Sequence, residues 1–380
     1  MRTAGTVDRL WPNAWQELLL DAAHAPDATA IAAFGRWCDR PLREEDFDGG
    51  SRRLLPLVYH RMQALGVSQP IMGRLKGTYR RAWYETNTVH HATAPAVAML
   101  ERNGIDTLLL KGVPLGLTYY GKSALRPMAD IDVLVRPEQV RAAIALLTGA
   151  GWRPGPMARD EDVAFRHSMQ FINGDAHEVD LHWHALLETC NTAADLHFWR
   201  SAEPLRFAGV ATRQLSPANT LLHGIIHGLR WNAEPSIRWI QDGLVVLRTA
   251  GDQIDWPGLV EFTRSQRLTH RLALGLNYLA GRHAAEVPET VLRALAATRI
   301  SLTERIENSV VLRDSGRLYA HPLTKQWVIF SEYCRMAGGR PRFVAGFPHY
   351  LRYRWRLRGR RELVSVILSG IWRRVTGRAL

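Results

Sequence analysis

Cysteine is scarce in this 380-residue chain: Cys38, Cys190 and Cys334 are far apart and odd in number. That excludes a disulfide framework and a cysteine-based zinc knuckle. No apolar run approaches the roughly 18–20 residues that a membrane-spanning helix needs, which excludes an integral protein of that kind. The opening residues, MRTAGTVDRLWPNAWQELLL, lack the basic-then-apolar pattern of a secretion signal, so a cytoplasmic location is expected. Neither internal repeats nor low-complexity tracts are visible, and solenoid architectures drop out. Lysine is nearly missing: of 49 basic residues only Lys76, Lys111, Lys122 and Lys325 are lysine. Such an arginine bias often follows genomic base composition and is weak evidence of phosphate binding.

What is present is an ordinary globular balance, 46% hydrophobic and 22% charged, long enough for one large domain or two ordinary ones. The net charge of +13 is localised. Residues 335–380 hold twelve arginines against the single acid Glu362, a net +11, leaving +2 for everything before them.

Apolar periodicity divides the chain into a helical region at 1–103, a mixed α/β core at 104–215, a helical region at 216–334 and an arginine-rich amphipathic tail at 335–380. In the first region Ala14–Ala23, Ser51–Leu65 and Ile71–Leu100 carry apolar residues at helical spacing, with breaks expected at Pro56 and Pro70. The pattern then shortens. DTLLL (106–110) reads as a buried strand ending at Lys111-Gly112. Pro114 suits the first turn of a short helix. IDVLV (131–135) is a second strand, and Pro137–Ala150 a helix. Met169–Asn173 and His177–Trp183 flank Gly174-Asp175 as a hairpin. A strand near Val210–Leu215 leads to Ser216, placed to cap a helix through Leu229.

Asp130-Ile131-Asp132 opens the second strand. Residues two apart on a strand share a face, so both carboxylates project together while Ile131 and Val133 turn to the core. Such like charges raise each other's pKa unless a cation intervenes, and hard oxygen ligands on a rigid strand suit Mg²⁺. The plain alternative is a pair of solvated acids at a strand end. Asp180, within EVDLHW, is a third acid flanked by apolar strand residues. The amides of Gly112 and Val113 stand at a strand-to-helix turn, a place that attracts phosphate.

In this order the residues resemble the uncharacterised bacterial nucleotidyltransferase family of the DNA polymerase beta-type superfamily. Its hallmarks are Leu110-Lys111-Gly112, Arg126-Pro127-Met128, Asp130-Ile131-Asp132 and Asp180-Leu181-His182-Trp183. The resemblance is clear over 105–185, weaker for LLHGIIHG and RWIQDGLVVLR, and faint before residue 90. It implies a small mixed sheet with flanking helices, an α+β fold set between helical regions. It also implies transfer of a nucleoside monophosphate from an NTP to an acceptor hydroxyl on a peptide, sugar or lipid, favoured over an RNA end. Asp130, Asp132 and Asp180 are then the catalytic and metal-binding acids, holding two Mg²⁺ (or Mn²⁺) about 3.5–4 Å apart. Lys111, Gly112, Val113 and Arg126 would receive the nucleotide's phosphates, although Arg126 equally suits an ion pair with a core carboxylate. Phosphoryl transfer at the same site, and a non-catalytic nucleotide- or membrane-surface-binding adaptor, are the alternatives. Val113 departs from the second Gly or Ser of many superfamily members, so contact there runs through the backbone.

Other motifs compete for attention. Gly116–Ser123 satisfies GxxxxGK[ST] letter for letter, but Val113-Pro114-Leu115 precedes it where a strand is needed, and Pro127 follows too soon for the required helix. It is read as coincidence. His223 and His227 stand four apart, with Gly224 where a metalloprotease needs glutamate, and are read as a satisfied pair on a packed helix. His182 and His184 share a face with Asp180, where they orient a carboxylate, touch substrate, or serve structure alone. The tail interleaves arginine with Tyr, Trp, Leu and Ile. It reads as a packed terminal helix with a basic face, as a peripheral contact with an anionic membrane (the inner face, for a cytoplasmic protein), or as a polyanion binder.

Overall fold

The computed structural model describes residues 10–39, 47–155, 159, 161–231, 236–313, 329–334 and 346–376. Four helices come first: α1 (Ala14–His24), α2 (Asp27–Cys38), α3 (Gly49–Ala64) and α4 (Met72–Arg102). The mixed region follows with β1 (Thr107–Leu110), α5 (Gly112–Pro114), β2 (Asp130–Val135), α6 (Val140–Gly149), β3 (Arg153–Pro154) and α7 (Asp162–Phe165). Next are β4 (Ser168–Ile172), β5 (Glu178–His182), α8 (Thr192–Arg200), β6 (Glu203–Phe207) and β7 (Val210–Gln214). Helices α9 (Pro217–Gly228), α10 (Arg238–Ala250), α11 (Trp256–Ser265), α12 (Thr269–His283), α13 (Glu289–Ala297) and α14 (Leu302–Val311) complete the body. Among the described residues of the tail, helices span Gly346–Arg354 and Arg360–Thr376.

Among the described residues, seven strands form one mixed sheet in the order β3-β4-β5-β2-β1-β7-β6. β2 runs antiparallel to β1 and parallel to β5, and β5 pairs with β4 as the hairpin expected around Gly174-Asp175. Alternation sorts the side chains onto two faces. Leu109, Ile131, Val133, Val135, Val179 and Leu181 point to one, where they join Val89, Val97 and Leu100 of α4 and Ala143 and Leu147 of α6 in one core. Leu108, Leu110 and Leu134 point to the other, into a larger core shared with α1–α3 and α9–α13. The acidic residues of β2 and β5 lie on that second face, beyond where its apolar cover ends.

Helix α4 is the spine of the first core. Its buried positions Ala82, Thr86, Val89, Thr93, Val97 and Leu100 recur every three or four residues, the stripe a helix needs to lie on a sheet, while Leu75 enters the larger core. On the opposite side α9 and α10 approach very closely. A Cβ on Gly228 would fall 2.3 Å from the Cβ of Trp239, so only glycine allows that contact.

Several expectations change. Pro56 does not break α3 but lies inside it, because Leu54, Leu55, Val58, Tyr59 and Met62 on either side all bury in the larger core. Ser216 holds the N-cap position of α9 without a side-chain hydrogen bond; Pro217 supplies the start. β6, β3 and α8 were not anticipated. The GxxxxGK[ST] stretch forms a π turn over Leu115–Tyr119 and a 3-10 turn over Ser123–Leu125, not a phosphate loop. Within the tail, Tyr350, Leu351 and Leu363 gather with Ile329 and Tyr333 into a third cluster against Phe165 of α7. Residues 335–345 and 377–380 of that tail lie outside the described residues.

Candidate active site

The pairing of β2 with β5 builds the site. Register sets Asp132 directly beside Asp180, and Asp130 beside Glu178. Neighbouring parallel strands therefore carry two carboxylates to one point on one face. Two groups of opposite charge hold them together. Lys111 Nζ lies 2.5 Å from Asp132 Oδ1, and His182 Nε2 lies 3.1 Å from the same oxygen and 3.0 Å from Asp180 Oδ2. Ser168 of β4 adds its hydroxyl, donating to Asp180 Oδ2 at 3.4 Å.

Burial alone would push the Asp132 carboxyl up, but the Lys111 ammonium and the His182 imidazole reverse this and hold it well below the usual carboxylate range. Burial likewise raises Asp180, and His182 more than offsets it, so this carboxyl ends lowered. His182 answers in kind: burial lowers its pKa, yet Asp180 and Asp132 lift it to about 9. Asp130 behaves differently. Burial and the charges of Asp132 and Asp180 raise it, with only partial relief from Lys111 and Arg238.

The donor atoms of Asp132, Asp180 and His182 all lie within 4.8 Å of one another. Two hard carboxylates and an imidazole so arranged fit a divalent cation, which would take over the charge compensation now supplied by Lys111 and His182. Asp130 is on the same face but outside that tight group, half-buried at the strand start.

Lys111 sits at the end of β1 with φ 48° and ψ −105°, a conformation L-residues rarely adopt. Such backbone outliers gather at ligand sites. Gly112 and Val113, which begin α5, are both buried. A Cβ on Gly112 would meet Met128 Sδ at 3.0 Å and an Arg126 Nη at 3.3 Å. The glycine thus lets the segment before β2 press against the end of β1.

Arg126 is fastened from the other side. Its Nε and Nη2 donate to the two oxygens of Asp242 on α10 at 2.9 and 2.8 Å, and the Tyr120 hydroxyl donates to the same carboxylate at 2.8 Å. Arg238, also on α10, donates to the Pro127 carbonyl at 2.6 Å. Burial and the nearby Arg126 and Arg53 lower its pKa to about 9.

Recesses adjoin the site, two of them lined by its carboxylates and one by Lys111. One of about 140 Å³ is lined by Lys111, Arg126, His223, His227 and Arg238. A groove of about 590 Å³ runs from Asp130 between α3 and α4, sharing Arg53 and Arg238 with the first. The third, about 220 Å³, lies beside Asp130, Ser168, Gln170, Glu178 and Asp180. His223 is not a ligand. Its Nε2 bonds the Ala185 carbonyl at 3.0 Å, burial holds its pKa at about 3, and its ring stacks on His227. His184 pairs with Asp195 at 3.0 Å, apart from the cluster.

Residues 51–282, well over half of the chain, match the family model described as an uncharacterised nucleotidyltransferase. The chain belongs to this nucleotidyltransferase family. As a family member it is a transferase whose general reaction is nucleoside monophosphate transfer. Among solved structures, it is similar to an antigenic nucleotidyltransferase-like protein from Paracoccidioides brasiliensis, at 12% identity over 57% of this chain and 96% of that one, with a TM-score of 0.35. It is also similar to the antibiotic-resistance factor ANT(2'')-Ia, at 15% identity over 51% of this chain and 98% of that one, with a TM-score of 0.32. No curated protein matches.

The matched span begins in α3 and includes Asp242, so it takes in helices on both sides of the sheet. Asp242 and Arg238 escaped the sequence reading, although both lie in the RWIQDG stretch.

Proposed function

We propose that this nucleotidyltransferase moves a nucleoside monophosphate from an NTP to an acceptor hydroxyl in a metal-dependent reaction at Asp132 and Asp180, with Asp130 beside them. The observation that carries this reading is the side-by-side register of Asp132 and Asp180 on parallel strands. A bound divalent cation, Mg²⁺ or Mn²⁺, would supply charge neutralisation at the phosphates and a lowered pKa for the attacking hydroxyl.

The protein's own groups take the remaining tasks. Lys111, placed against Asp132 by its unusual backbone, offsets phosphate charge. The amides of Gly112 and Val113, at the start of α5 just beyond β1, face the triphosphate. Arg126 is committed to Asp242, the core ion pair that was its other reading, so the positive field at the adjoining recesses comes from Arg238 and Arg53. Asp180, whose Oδ2 takes both Ser168 and His182, lines the third recess, and there it positions the acceptor hydroxyl and accepts its proton.

The acceptor class is a peptide, sugar or lipid. The tail supports contact with a lipid surface. Val364, Val366, Ile367 and Leu368 are exposed on the last helix, between clusters of arginine. Among the described residues no helix is long and apolar enough to cross a membrane, so this contact is peripheral. The reaction is tested by incubating the protein with each NTP, a divalent cation and extracts as acceptor source. Pyrophosphate release, with a nucleoside monophosphate mass added to the acceptor, is expected. Release of NDP with only a phosphoryl mass added would replace this reading with phosphoryl transfer.

A further inference from the structure

The third donor in the cluster is not a carboxylate. His182 follows Asp180 by two residues on β5, so alternation aims its ring at the same face, and register sets it beside Leu134, one step along from the Asp132–Asp180 pair. The imidazole is 2% exposed. Its Nδ1 is buried with no hydrogen-bond partner, and the His167 ring packs edge-on at 5.5 Å. The polar contacts that orient the ring are therefore those of Nε2 with the two aspartates.

Those contacts have the dimensions of a coordination sphere. Two ligand atoms at right angles on one ion, with bonds of about 2.1–2.2 Å, lie about 3.0–3.1 Å apart. Nε2 is 3.0 Å from Asp180 Oδ2 and 3.1 Å from Asp132 Oδ1. An ion seated between the two carboxylates would thus meet the imidazole nitrogen at bonding distance without any rotation of the ring.

We infer that His182 Nε2 is a third protein ligand of the metal, giving a carboxylate–carboxylate–imidazole site that favours Mn²⁺ over Mg²⁺. The inference rests on the reading that Asp132 and Asp180 hold a metal. Mg²⁺ is hard, keeps its waters and is ordinarily held by one or two carboxylates and substrate phosphates. Imidazole nitrogen suits first-row transition ions, and the mixed donor set selects such an ion with oxygen tolerance, which Mn²⁺ has.

The experiment is Mn²⁺ titration of the full-length protein without nucleotide, followed by electron paramagnetic resonance. Loss of the free Mn²⁺ signal gives the affinity, and electron spin echo modulation reports any directly bound ¹⁴N. The wild-type protein is expected to show imidazole ¹⁴N coupling, and His167→Gln to retain it. His182→Gln is expected to lose it, with Mn²⁺ affinity falling about tenfold or more, the scale seen even when a group that merely orients a ligand is removed. Mg²⁺ affinity should fall much less. Bound Mn²⁺ without ¹⁴N coupling in the wild-type protein, a measurement that needs no variant to fold, overturns the histidine ligand and leaves the carboxylate site standing. Failure of the wild type to bind Mn²⁺, or binding unaffected by Asp132→Asn, overturns both.

Discussion

Replacing Asp242 by Asn removes one charge from a sealed contact while keeping the shape of the side chain. Asp242 and Arg126 are 7% and 5% exposed, and their two parallel hydrogen bonds join the segment before β2 to α10. Losing one partner strands the guanidinium away from water, which costs about 3–5 kcal/mol. That is a large part of the roughly 5–15 kcal/mol by which a typical domain is stable. Tyr120→Phe deletes a single bond to the same carboxylate and is expected to cost less, about 1.5–3 kcal/mol. The double change Arg126→Met with Asp242→Leu leaves no charge behind, so its cost should fall well short of the summed single changes. Urea unfolding followed by tryptophan fluorescence, for which thirteen tryptophans provide signal, reads all three. A cost below about 1 kcal/mol for Asp242→Asn, or a double variant as damaged as the sum of its parts, would refute the reasoning.

Gly112→Ala should destabilise by about 1–3 kcal/mol through overpacking against Met128, and Met128→Ala should restore part of the loss in a thermal melt. His223 is neutral when folded, with its pKa held at about 3 by burial. A lowered folded pKa means stability present above the unfolded value near 6.5 and lost as pH falls toward 3. By pH 5 this one group should cost about 2 kcal/mol, and His223→Gln should flatten that part of the pH–stability curve. The tail helix should bind vesicles containing anionic lipid. Val366→Glu with Ile367→Glu should abolish cosedimentation, and retention at full strength would discard the membrane contact.

The central sheet was legible wherever burial imposed a period. In β2, β4 and β5 alternate side chains enter a core, and β1 is buried on both faces. The strands and the common face of Asp130 and Asp132 could therefore be read from the pattern, while Asp180 joined them through the resemblance. The strands at the sheet edges lack that imprint: β3 is two exposed residues, and β6 carries a proline and buries only Phe207. Pro56 misled because helix propensity is local, whereas α3 is held by residues that bury on either side of the proline. Asp242 was out of reach for a different reason. Its pairing with Arg126 spans 116 positions, and nothing in either local stretch marks the other as partner. His182 carried a readable signal, the face it shares with Asp180. Its closeness to Asp132 depended on the parallel pairing of β2 with β5, which periodicity does not encode.

The central claim is that Asp132 and Asp180 jointly hold a metal that the nucleotide needs. Calorimetric titration of a non-hydrolysable NTP, with Mn²⁺ or with EDTA, tests it most directly in the wild-type protein and in Asp132→Asn and Asp180→Asn. Binding that requires the metal, and is lost in both folded variants, is the expected result. NTP binding of equal strength in EDTA, or undiminished in a folded Asp132→Asn protein, would contradict the claim.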